Sequence, residues 1–442
     1  MSRLRAASLG SMINFALLVS PGAGCTQPST QKAPSASRSD SSLRSTARDP
    51  LQGVEEPFIR VLLIERAAEL ALAVAGPYEV RQTGRILAQG SNLRKTRVTT
   101  VAGQPRRLQI GQLACPPGPI EIVPRTPGTL RLYFEKPQRD AFSRLYDGYA
   151  RISSRPPGPN AAVNSGGIDL VNVIKLEEYL PSVLQAELYA DWHLETYRAQ
   201  AIAARTYALY EMRTFGEKRD YDVRATEASQ VYRGIDERGY SKKALRAVRN
   251  TRGIVCTWAS PMGQRIFSTY YSSACGGLTQ DAANCFNSPS IPPLAGGVKC
   301  SYCNIGGRVY RWKPVRLSKD ELTQLFVRRF PQHAALGTIQ TIEVVRSTKD
   351  GRPLALRLRG DDGQSITVDS YAFRLAIGGH RLPSNHCKIV DLGSSFEFRE
   401  GRGFGHAVGL CQWGAEGQAR LGKKASEILS YYYPTSRLKR AY

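Results

Sequence analysis

One glutamate occupies a position where the sequence pattern calls for an apolar side chain. In residues 183–207, VLQAELYADWHLETYRAQAIAARTY, Glu187 follows Val183 by four residues and Leu184 by three. If a helix runs through residues 181–188, its 3.6-residue period places Glu187 on the apolar side. Either the helix ends early and turns the acid toward water, or the acid points into a cleft whose apolar walls raise its pKa. A carboxyl group with a raised pKa can donate a proton near neutral pH.

A second candidate for chemistry is the glycine-rich segment at residues 401–422, GRGFGHAVGLCQWGAEGQARLG. It is not a dinucleotide-binding G-x-G-x-x-G, because His406 and Val408 stand where that pattern needs glycine. So many glycines indicate a backbone that passes close to another segment or to a sugar chain. His406, Gln412 and Trp413 interleave polar and aromatic groups of the kind that hold carbohydrate, although a tightly packed loop explains each of them equally well.

The composition is that of a globular protein with a strongly positive charge. The 442 residues are enough for two or three domains, and 42% of them are hydrophobic. Lys and Arg number 61 against 37 Asp and Glu, which gives a net charge of +24 and predicts attraction to a polyanion. No zinc-finger, RRM or bZIP pattern favours nucleic acid, so an anionic cell envelope is the preferred interpretation.

The amino end predicts export to the envelope. Residues 1–25 combine early arginines with a short apolar run at residues 12–19, which resembles a bacterial export signal and is too short to span a membrane. The small residues before Cys25 resemble a lipoprotein cleavage box, so Cys25 is either lipidated or lost by plain cleavage. An unstructured basic leader on a cytoplasmic protein is the remaining alternative. Residues 26–53 are rich in Ser, Pro, Ala and Arg and predict a disordered linker.

The elements that must position these residues predict an α+β fold. Residues 54–150 contain short β-like runs and form a β-rich amino-terminal region. Residues 151–442 form a mixed helix and strand core, which begins with a hairpin and the helices around Glu187, the second of them capped by Asp191. Strands and helices mingle without regular βαβ alternation, which favours α+β. The clearest later elements are helices at 317–330 and 370–378 and strands at 338–347 and 353–360.

The cysteines suggest either a metal site or disulfides. The chain has nine, and a group of four includes a C-x-x-C pair: Cys275, Cys285, Cys300 and Cys303. These four predict either a structural four-thiolate zinc site or, in an exported protein, two disulfides. His386 and Cys387 are a further possible metal-binding pair.

Four separated segments together resemble the stage II sporulation protein D family, which includes amidase-enhancer proteins. In chain order these segments are LEEYLPSVLQAELYADWHLETYRAQAIAARTYAL, YDVRATEASQVYRG, YYSSACGGLTQDA and GRGFGHAVGLCQWGAEGQARLGKKASEILSYYYP. The resemblance runs from about residue 57 to the end of the chain, and four motifs in order are far more specific than any one.

The resemblance implies a lytic transglycosylase of peptidoglycan. Such an enzyme cleaves between N-acetylmuramic acid and N-acetylglucosamine in peptide-stripped strands and leaves a 1,6-anhydro end. The family's catalytic glutamate falls on Glu187. The sugar's own 6-hydroxyl is the nucleophile, so the absence of an obvious second carboxylate is no objection.

The resemblance also suggests residues that hold the glycan. The family's glycan-contacting tyrosine and serine fall on Tyr271 and Ser273. Four other motif positions have less certain roles in binding or in shaping the cleft: Arg205, Gln230, His406 and Gln412. Arg205 has the alternative of a buried pair with a structural carboxylate. Some family members bind zinc through His and Cys in the segment that reads ATEASQVY here, and this sequence has neither residue there.

Two other functions remain as alternatives. A non-catalytic amidase activator would keep the cleft without needing the acid, and a basic nucleic-acid-binding protein would explain the charge but not the export signal. The expected partners are therefore peptidoglycan strands, a cell-wall amidase and, through a lipid on Cys25, the membrane. No cofactor is needed for the chemistry, and nucleic acid is not an expected partner.

Overall fold

The computed structural model describes residues 55–101, 106–125, 129–136, 139–156, 166–236, 238–286 and 288–442. The predicted export signal and linker lie outside the described residues. The α+β class is confirmed, with 29% helix and 37% strand among the described residues. Within the described ranges, every helix is too short or too polar to cross a bilayer.

Strands dominate the described residues up to residue 175, and helices and strands are mixed after them. The first strands are β1 (Phe58–Ala67), β2 (Leu70–Ala75), β3 (Tyr78–Gln82), β4 (Arg85–Gly90), β5 (Leu93–Val101), β6 (Arg107–Ile110), β7 (Leu113–Ala114), β8 (Ile120–Pro124), β9 (Thr129–Lys136), β10 (Arg139–Tyr146), β11 (Tyr149–Arg155) and β12 (Gly167–Lys175). The later strands are β13 (Val223–Arg224), β14 (Ile254–Ser260), β15 (Gly263–Ile266), β16 (Tyr271–Ser272), β17 (Val315–Ser318), β18 (Ile339–Ser347), β19 (Pro353–Gly360), β20 (Ser365–Asp369), β21 (Lys388–Asp391), β22 (Ser395–Arg399), β23 (Leu410–Cys411) and β24 (Arg437–Arg440).

The helices lie between and after these strands. They are α1 (Leu176–Glu187), α2 (Leu194–Phe215), α3 (Lys242–Asn250), α4 (Ala283–Phe286), α5 (Lys319–Arg329), α6 (Ser370–Ile377), α7 (Gln412–Arg420) and α8 (Ala425–Tyr432). Short 3₁₀ segments occupy Gly216–Lys218, Pro292–Leu294, Tyr302–Val309 and Pro331–Leu336.

Two sheets of the amino-terminal region share one core. One sheet has the order β13-β1-β12-β11-β8-β3-β4, and the other has the order β10-β9-β2-β5-β6-β7. Alternate apolar residues of both sheets, such as Val61 and Ile152 in the first and Leu72 and Val98 in the second, belong to a single buried cluster. This period-2 burial is what packs two sheets face to face.

The predicted hairpin after residue 150 is confirmed, and it carries the sheet into the helical part. β11 pairs antiparallel with β12, with Tyr149 opposite Val173, and β12 pairs on its other side with β1. β11 itself runs through residue 150, where we expected one region to end. α1 follows β12 directly and packs its apolar residues, Leu180 and Leu184 among them, on the same core. The sheet therefore fixes where α1 points.

A second core begins on α2, whose Ala199 and Ala203 belong to it, whereas Ala201 belongs to the first core. α2 contacts α1, α3, α7, α8 and β14. A short parallel pair, β16 with β23, aligns Tyr271 with Leu410 and Ser272 with Cys411. This pairing brings together two segments that are almost 140 residues apart in the chain.

A third core belongs to residues 315–399. The predicted helices are confirmed as α5 and α6, and the predicted strands as β18 and β19. Phe326, Phe373 and Phe398 are fully buried in this core. The buried Arg352 ties it to the site region by donating to the carbonyl of Cys275 at 3.0 Å.

The predicted N-cap of α2 is wrong. His193 caps the helix, because its Nδ1 accepts a hydrogen bond from the backbone N–H of Glu195 at 3.2 Å, whereas Asp191 is exposed two residues earlier. The backbone N–H of His193 and the hydroxyl of Thr196 also donate to the carboxylate of Glu416, at 2.9 and 2.8 Å. A long-range partner in α7 thus fixes the start of the helix, and local side-chain preference could not reveal it.

Candidate active site

Glu187 is the last residue of α1. The helix ends there, and Leu188 adopts an extended conformation as its C-cap. The two sequence-based alternatives are therefore both partly right: the helix ends early, and its acid still lies against protein rather than in open water. The negative end of the helix dipole gives no stabilisation to a carboxylate at this position.

Two donors hold the Glu187 carboxyl group in place. The backbone N–H of Val231 donates to Oε1 at 3.2 Å, and the side-chain amide of Gln412 donates to Oε2 at 3.1 Å. Burial raises the pKa of Glu187, the two hydrogen bonds oppose that rise, and the nearby charge of Glu227 adds to it while Arg233 opposes it. The net direction is upward, so the side chain retains its proton at a higher pH than a free glutamate.

Tyr271 belongs to a chain of buried hydrogen bonds beside the acid. Tyr179 donates to the amide oxygen of Gln230 at 3.1 Å, and the Gln230 amide nitrogen donates to the Tyr271 hydroxyl oxygen at 3.1 Å and to the Ala204 carbonyl at 3.2 Å. Burial raises the pKa of Tyr271 far above its usual range, and the charge of Glu187 raises it further. Gln230 thus uses its amide to orient Tyr271.

His406 is a neutral histidine with protein partners. Its Nδ1 accepts from the backbone N–H of Val408 at 3.0 Å, and it has a further hydrogen bond to the backbone of Tyr271. Burial, together with the positive charges of Arg374 and Arg352, lowers the pKa of His406 to about 3. The imidazole therefore carries no charge at neutral pH and helps to fix the strand that presents Tyr271.

An aromatic group surrounds His406. Tyr270 and Phe286 stack with ring centres 4.1 Å apart, and the imidazole of His406 meets Phe286 edge-on at 5.1 Å. Tyr371, from α6 of the third core, lies 5.9 Å from Phe286. The third core thus contributes one ring to the aromatic group around His406.

A second aromatic group adjoins Glu187 itself. Tyr189 is 54% exposed, and its ring lies 5.2 Å from that of Trp192 and 5.6 Å from that of Trp413. Trp192 is buried and meets Trp413 edge-on at 4.8 Å. Tyr189 follows Glu187 by two residues, and Trp413 directly follows Gln412. Tyr189 was not among the residues predicted from the sequence, although its position two residues after Glu187 is a signal that could have found it.

The glycine-rich segment passes close to protein. Gly403 and Gly405 have φ angles of 77° and 101°, which favour glycine. A Cβ at Gly405 would lie 2.8 Å from the Cβ of Ser272, and one at Gly403 would lie 2.7 Å from the Ala274 carbonyl oxygen. The N–H of Trp413 donates to the Ser273 carbonyl at 3.0 Å. Of the two interpretations, close approach to another segment accounts for these glycines.

Arg205 is fully buried in an ion pair, so the structure does not support its predicted contact with substrate. Its guanidinium is fully buried and donates to both carboxylate oxygens of Glu177 at 2.8 Å. The Glu177 carboxylate also accepts from the backbone N–H of Gly253 at 3.2 Å and from the hydroxyl of Tyr442 at 2.5 Å. This is the buried structural pair that the sequence analysis gave as the alternative.

The predicted group of four cysteines contains one wrong member. The sulfurs of Cys275, Cys300 and Cys303 lie together, but the fourth is that of Cys411, and all four lie within 4.8 Å of one another. Cys285 lies elsewhere, where its sulfur accepts from the Gln280 amide at 3.0 Å. The parallel pairing of β16 with β23 explains the exchange, because it sets Cys411 next to the strand that leads to Cys275.

Comparison with known families identifies two matched regions. Residues 164–258 match the family described as stage II sporulation protein (SpoIID), and they include both Glu187 and Gln230. Residues 300–409 match a domain of unknown function, DUF8618, which includes the third core.

Curated relatives extend the match over about 60% of the chain. An uncharacterised protein of Brachyspira hyodysenteriae is 33% identical over 264 residues, 60% of this chain and 66% of that protein. An amidase enhancer of Bacillus subtilis is 26% identical over 59% of this chain and 40% of its own length. A stage II sporulation protein D of Bacillus amyloliquefaciens is 28% identical over 60% of this chain and 74% of its own. The match covers less than two thirds of the length of the Brachyspira protein and of the amidase enhancer.

Proposed function

The chain belongs to the stage II sporulation protein D family, and on that premise we propose that it is a lytic transglycosylase of peptidoglycan. Its substrate would be peptide-stripped glycan, cleaved between N-acetylmuramic acid and N-acetylglucosamine. One observation carries the proposal: Glu187 is held by two donors in surroundings that raise its pKa, as a general acid requires.

Glu187 would act first as an acid and then as a base. Its proton passes to the glycosidic oxygen as the bond from that oxygen to the anomeric carbon of N-acetylmuramic acid breaks. The 6-hydroxyl of the same sugar then attacks the anomeric carbon and gives its proton to the Glu187 carboxylate, which restores the acid. The products are a 1,6-anhydro end and a free 4-hydroxyl on the leaving sugar, with no water consumed.

The product distinguishes this route from hydrolysis. A hydrolase of the two-carboxylate type needs a second acid beside the first. The acid whose negative charge raises the pKa of Glu187 is Glu227, which is exposed, so Glu227 would be the partner if the reaction were hydrolysis. Mass spectrometry of fragments from amidase-stripped glycan tests the proposal directly. Anhydro ends support the lytic route, whereas reducing ends would replace it with hydrolysis.

The charge of the chain suits this substrate. Removal of the stem peptide leaves a carboxylate on the lactyl group of each N-acetylmuramic acid, so a stripped strand is a regular polyanion. The net charge of +24 favours its association, and Arg233 is an exposed cation that acts on Glu187.

The pH dependence of cleavage follows from the pKa of Glu187. The acid step needs the protonated form, so kcat/KM falls as the pH rises through the raised pKa. In Gln412→Leu, which loses a hydrogen bond to the carboxylate, the alkaline limb is expected to move to higher pH. In Glu227→Gln, which loses a negative charge, it should move to lower pH. Shifts of the same sign in both variants would contradict Glu187 as the titrating acid.

The exposed ring of Tyr189 is proposed to stack on a sugar. Tyr189→Ala should raise KM or the dissociation constant for stripped glycan about tenfold, which is about 1.4 kcal/mol. The melting temperature should stay near that of the native chain, since the side chain is 54% exposed. The matched Tyr189→Phe variant keeps the ring and should keep the affinity. Equal affinity of the alanine variant, measured by pull-down with insoluble glycan, would remove Tyr189 from the binding surface.

A second candidate function is activation of a cell-wall amidase. One relative is named an amidase enhancer, and this supports an amidase partner. In that case, the Glu187→Gln variant would stimulate an amidase as strongly as the native chain does. Both functions suit a protein of the cell envelope, to which we assign it, with a lipid on Cys25 as the proposed anchor.

A further inference from the structure

We propose that Cys275, Cys300, Cys303 and Cys411 form a mononuclear tetrathiolate zinc site. Their sulfurs come from three separate segments and all lie within 4.8 Å of one another. All four side chains are buried. Cys300 and Cys303 supply a C-x-x-C pair, which is the usual spacing of two ligands on one structural zinc.

The spacing of the sulfurs fits a single metal ion. Zinc–sulfur bonds of about 2.3 Å in a tetrahedron give sulfur–sulfur edges of about 3.8 Å. The sulfurs of Cys275 and Cys303 lie 3.8 Å apart. An iron–sulfur cluster would separate some of its ligand sulfurs by more than one metal ion, and four sulfurs this close leave room for one.

The sulfurs are arranged around a common point and not in two bonded pairs. The 3.8 Å between Cys275 and Cys303 is nearly twice a disulfide bond of about 2.05 Å. Each cysteine among the described residues is a free thiol in this structure. Oxidation to two disulfides would require the sulfurs of each pair to approach to about 2.05 Å, and none of the four is bonded to another here.

The surroundings supply donors that a tetrathiolate needs. Four thiolates around Zn²⁺ carry a net charge of −2, which outer hydrogen bonds must offset. The backbone N–H of Cys275 points to the sulfur of Cys411 at 3.3 Å, and the hydroxyl of Tyr432 lies 3.0 Å from the sulfur of Cys300. A Cβ at Gly414 would lie 2.7 Å from the same sulfur, so α7 approaches the group closely because this position is glycine.

The zinc would fix the position of segments that carry residues of the candidate active site. Cys411 directly precedes Gln412, whose amide holds Glu187, and Cys275 lies two residues after Ser273. The metal would therefore hold the start of α7, which carries Gln412, against the segment after β16, which carries Ser273 and Cys275. Its role is structural, and its presence does not depend on the proposed glycan cleavage.

Metal analysis of the full chain tests the site. The chain is purified in reducing buffer without added metal or chelator, and its zinc, iron and free thiols are counted. The expected result is about one zinc per chain, released with a lowered melting temperature when a mercurial reagent blocks the thiols. A chain without metal, or one with disulfides mapped among these four cysteines, overturns the proposal. One iron per chain in place of zinc overturns the assignment of the metal.

Cysteine variants test the ligand set. Cys300→Ser and Cys411→Ser should lose zinc on dialysis against a chelator, and cobalt added in its place should lack the spectrum of a tetrahedral thiolate site. Cys285→Ser, which the sequence alone would have included, should keep full zinc. Cys256→Ser is the control for loss of a buried thiol, since Cys256 is fully buried outside the group. Zinc that survives in Cys411→Ser and is lost in Cys285→Ser overturns the assignment. If the first two variants fail to fold, the metal count of the native chain still decides.

Discussion

Replacing Glu187 with glutamine is expected to abolish the release of anhydro-muramyl fragments while glycan binding persists. Glutamine keeps the size of the side chain and an acceptor for the N–H of Val231, but it has no proton to give to the leaving oxygen. Loss of a general acid typically costs about 10²–10⁴-fold in rate, so turnover of stripped glycan should fall by about 10³-fold. Mass spectrometry of the soluble products gives the measurement.

The matched control for this variant is Glu178→Gln. Glu178 is exposed in the same helix, so its replacement removes one carboxylate without touching the candidate site. It should leave cleavage unchanged. Undiminished cleavage by Glu187→Gln would exclude the acid, and loss of glycan binding in the same variant would point to a collapsed site.

Stability provides an independent readout for Glu187. Because folding raises the pKa of this carboxyl group, ionising it in the folded state costs free energy at any pH above its unfolded value of about 4.3. Glu187→Gln should therefore unfold at a higher urea concentration than the native chain at neutral pH. The difference should vanish as the pH falls below that unfolded value. A less stable variant at neutral pH would mean that the folded protein stabilises ionised Glu187, contrary to its proposed role as an acid.

Of the single substitutions considered, Arg205→Met is expected to cause the largest loss in the free energy of unfolding. It would leave the Glu177 carboxylate buried with the Gly253 N–H and the Tyr442 hydroxyl but without its counterion. Removing one partner of a buried ion pair costs about 3–5 kcal/mol. Urea denaturation gives the free energy of unfolding, and the double variant Arg205→Met, Glu177→Gln should lose less than the sum of the two single changes.

A surface pair is the matched control for Arg205. Arg357 donates to Glu343 at 3.1 Å, but both side chains are about half exposed, so Arg357→Met should leave the free energy of unfolding almost unchanged. Equal losses for the two arginine variants would contradict the special cost of the buried pair. A fall in glycan affinity of the Arg205 variant without a loss of stability would restore Arg205 to the binding surface.

The pH dependence of this effect has a defined sign. Burial alone would raise the pKa of Glu177, but the hydrogen bonds and charge of Arg205, with help from Tyr442 and Gly253, hold it below its ordinary value. A lowered carboxyl pKa contributes stability above the unfolded value and loses it as the pH falls through the folded one. The difference in the free energy of unfolding between the native chain and the Arg205→Met variant should therefore decrease as the pH is lowered.

Local pattern was enough to single out Glu187 as a candidate acid and to predict the fold class. Glu187 stands out because the residues just before it, within the same helix, place apolar side chains on its side of the helix. That pattern can be seen in the sequence because all of these residues belong to one helix, α1. Alternation and turn residues likewise gave the α+β class and the elements from α5 to β19. These features depend on the spacing of residues that are close together in the chain, and the sequence shows that spacing directly.

Tertiary structure decided which distant residues meet. The exchange of Cys285 for Cys411 depends on a parallel pairing of two-residue strands, whose register no local period reveals. The partner of Arg205 lies 28 residues away on another helix, and the cap of α2 is completed by Glu416 over 200 residues later. The sequence alone supplied the chemistry of each side chain, and the packing of helices and strands selected its partner, because burial and charge pairing are settled only when separate elements come into contact.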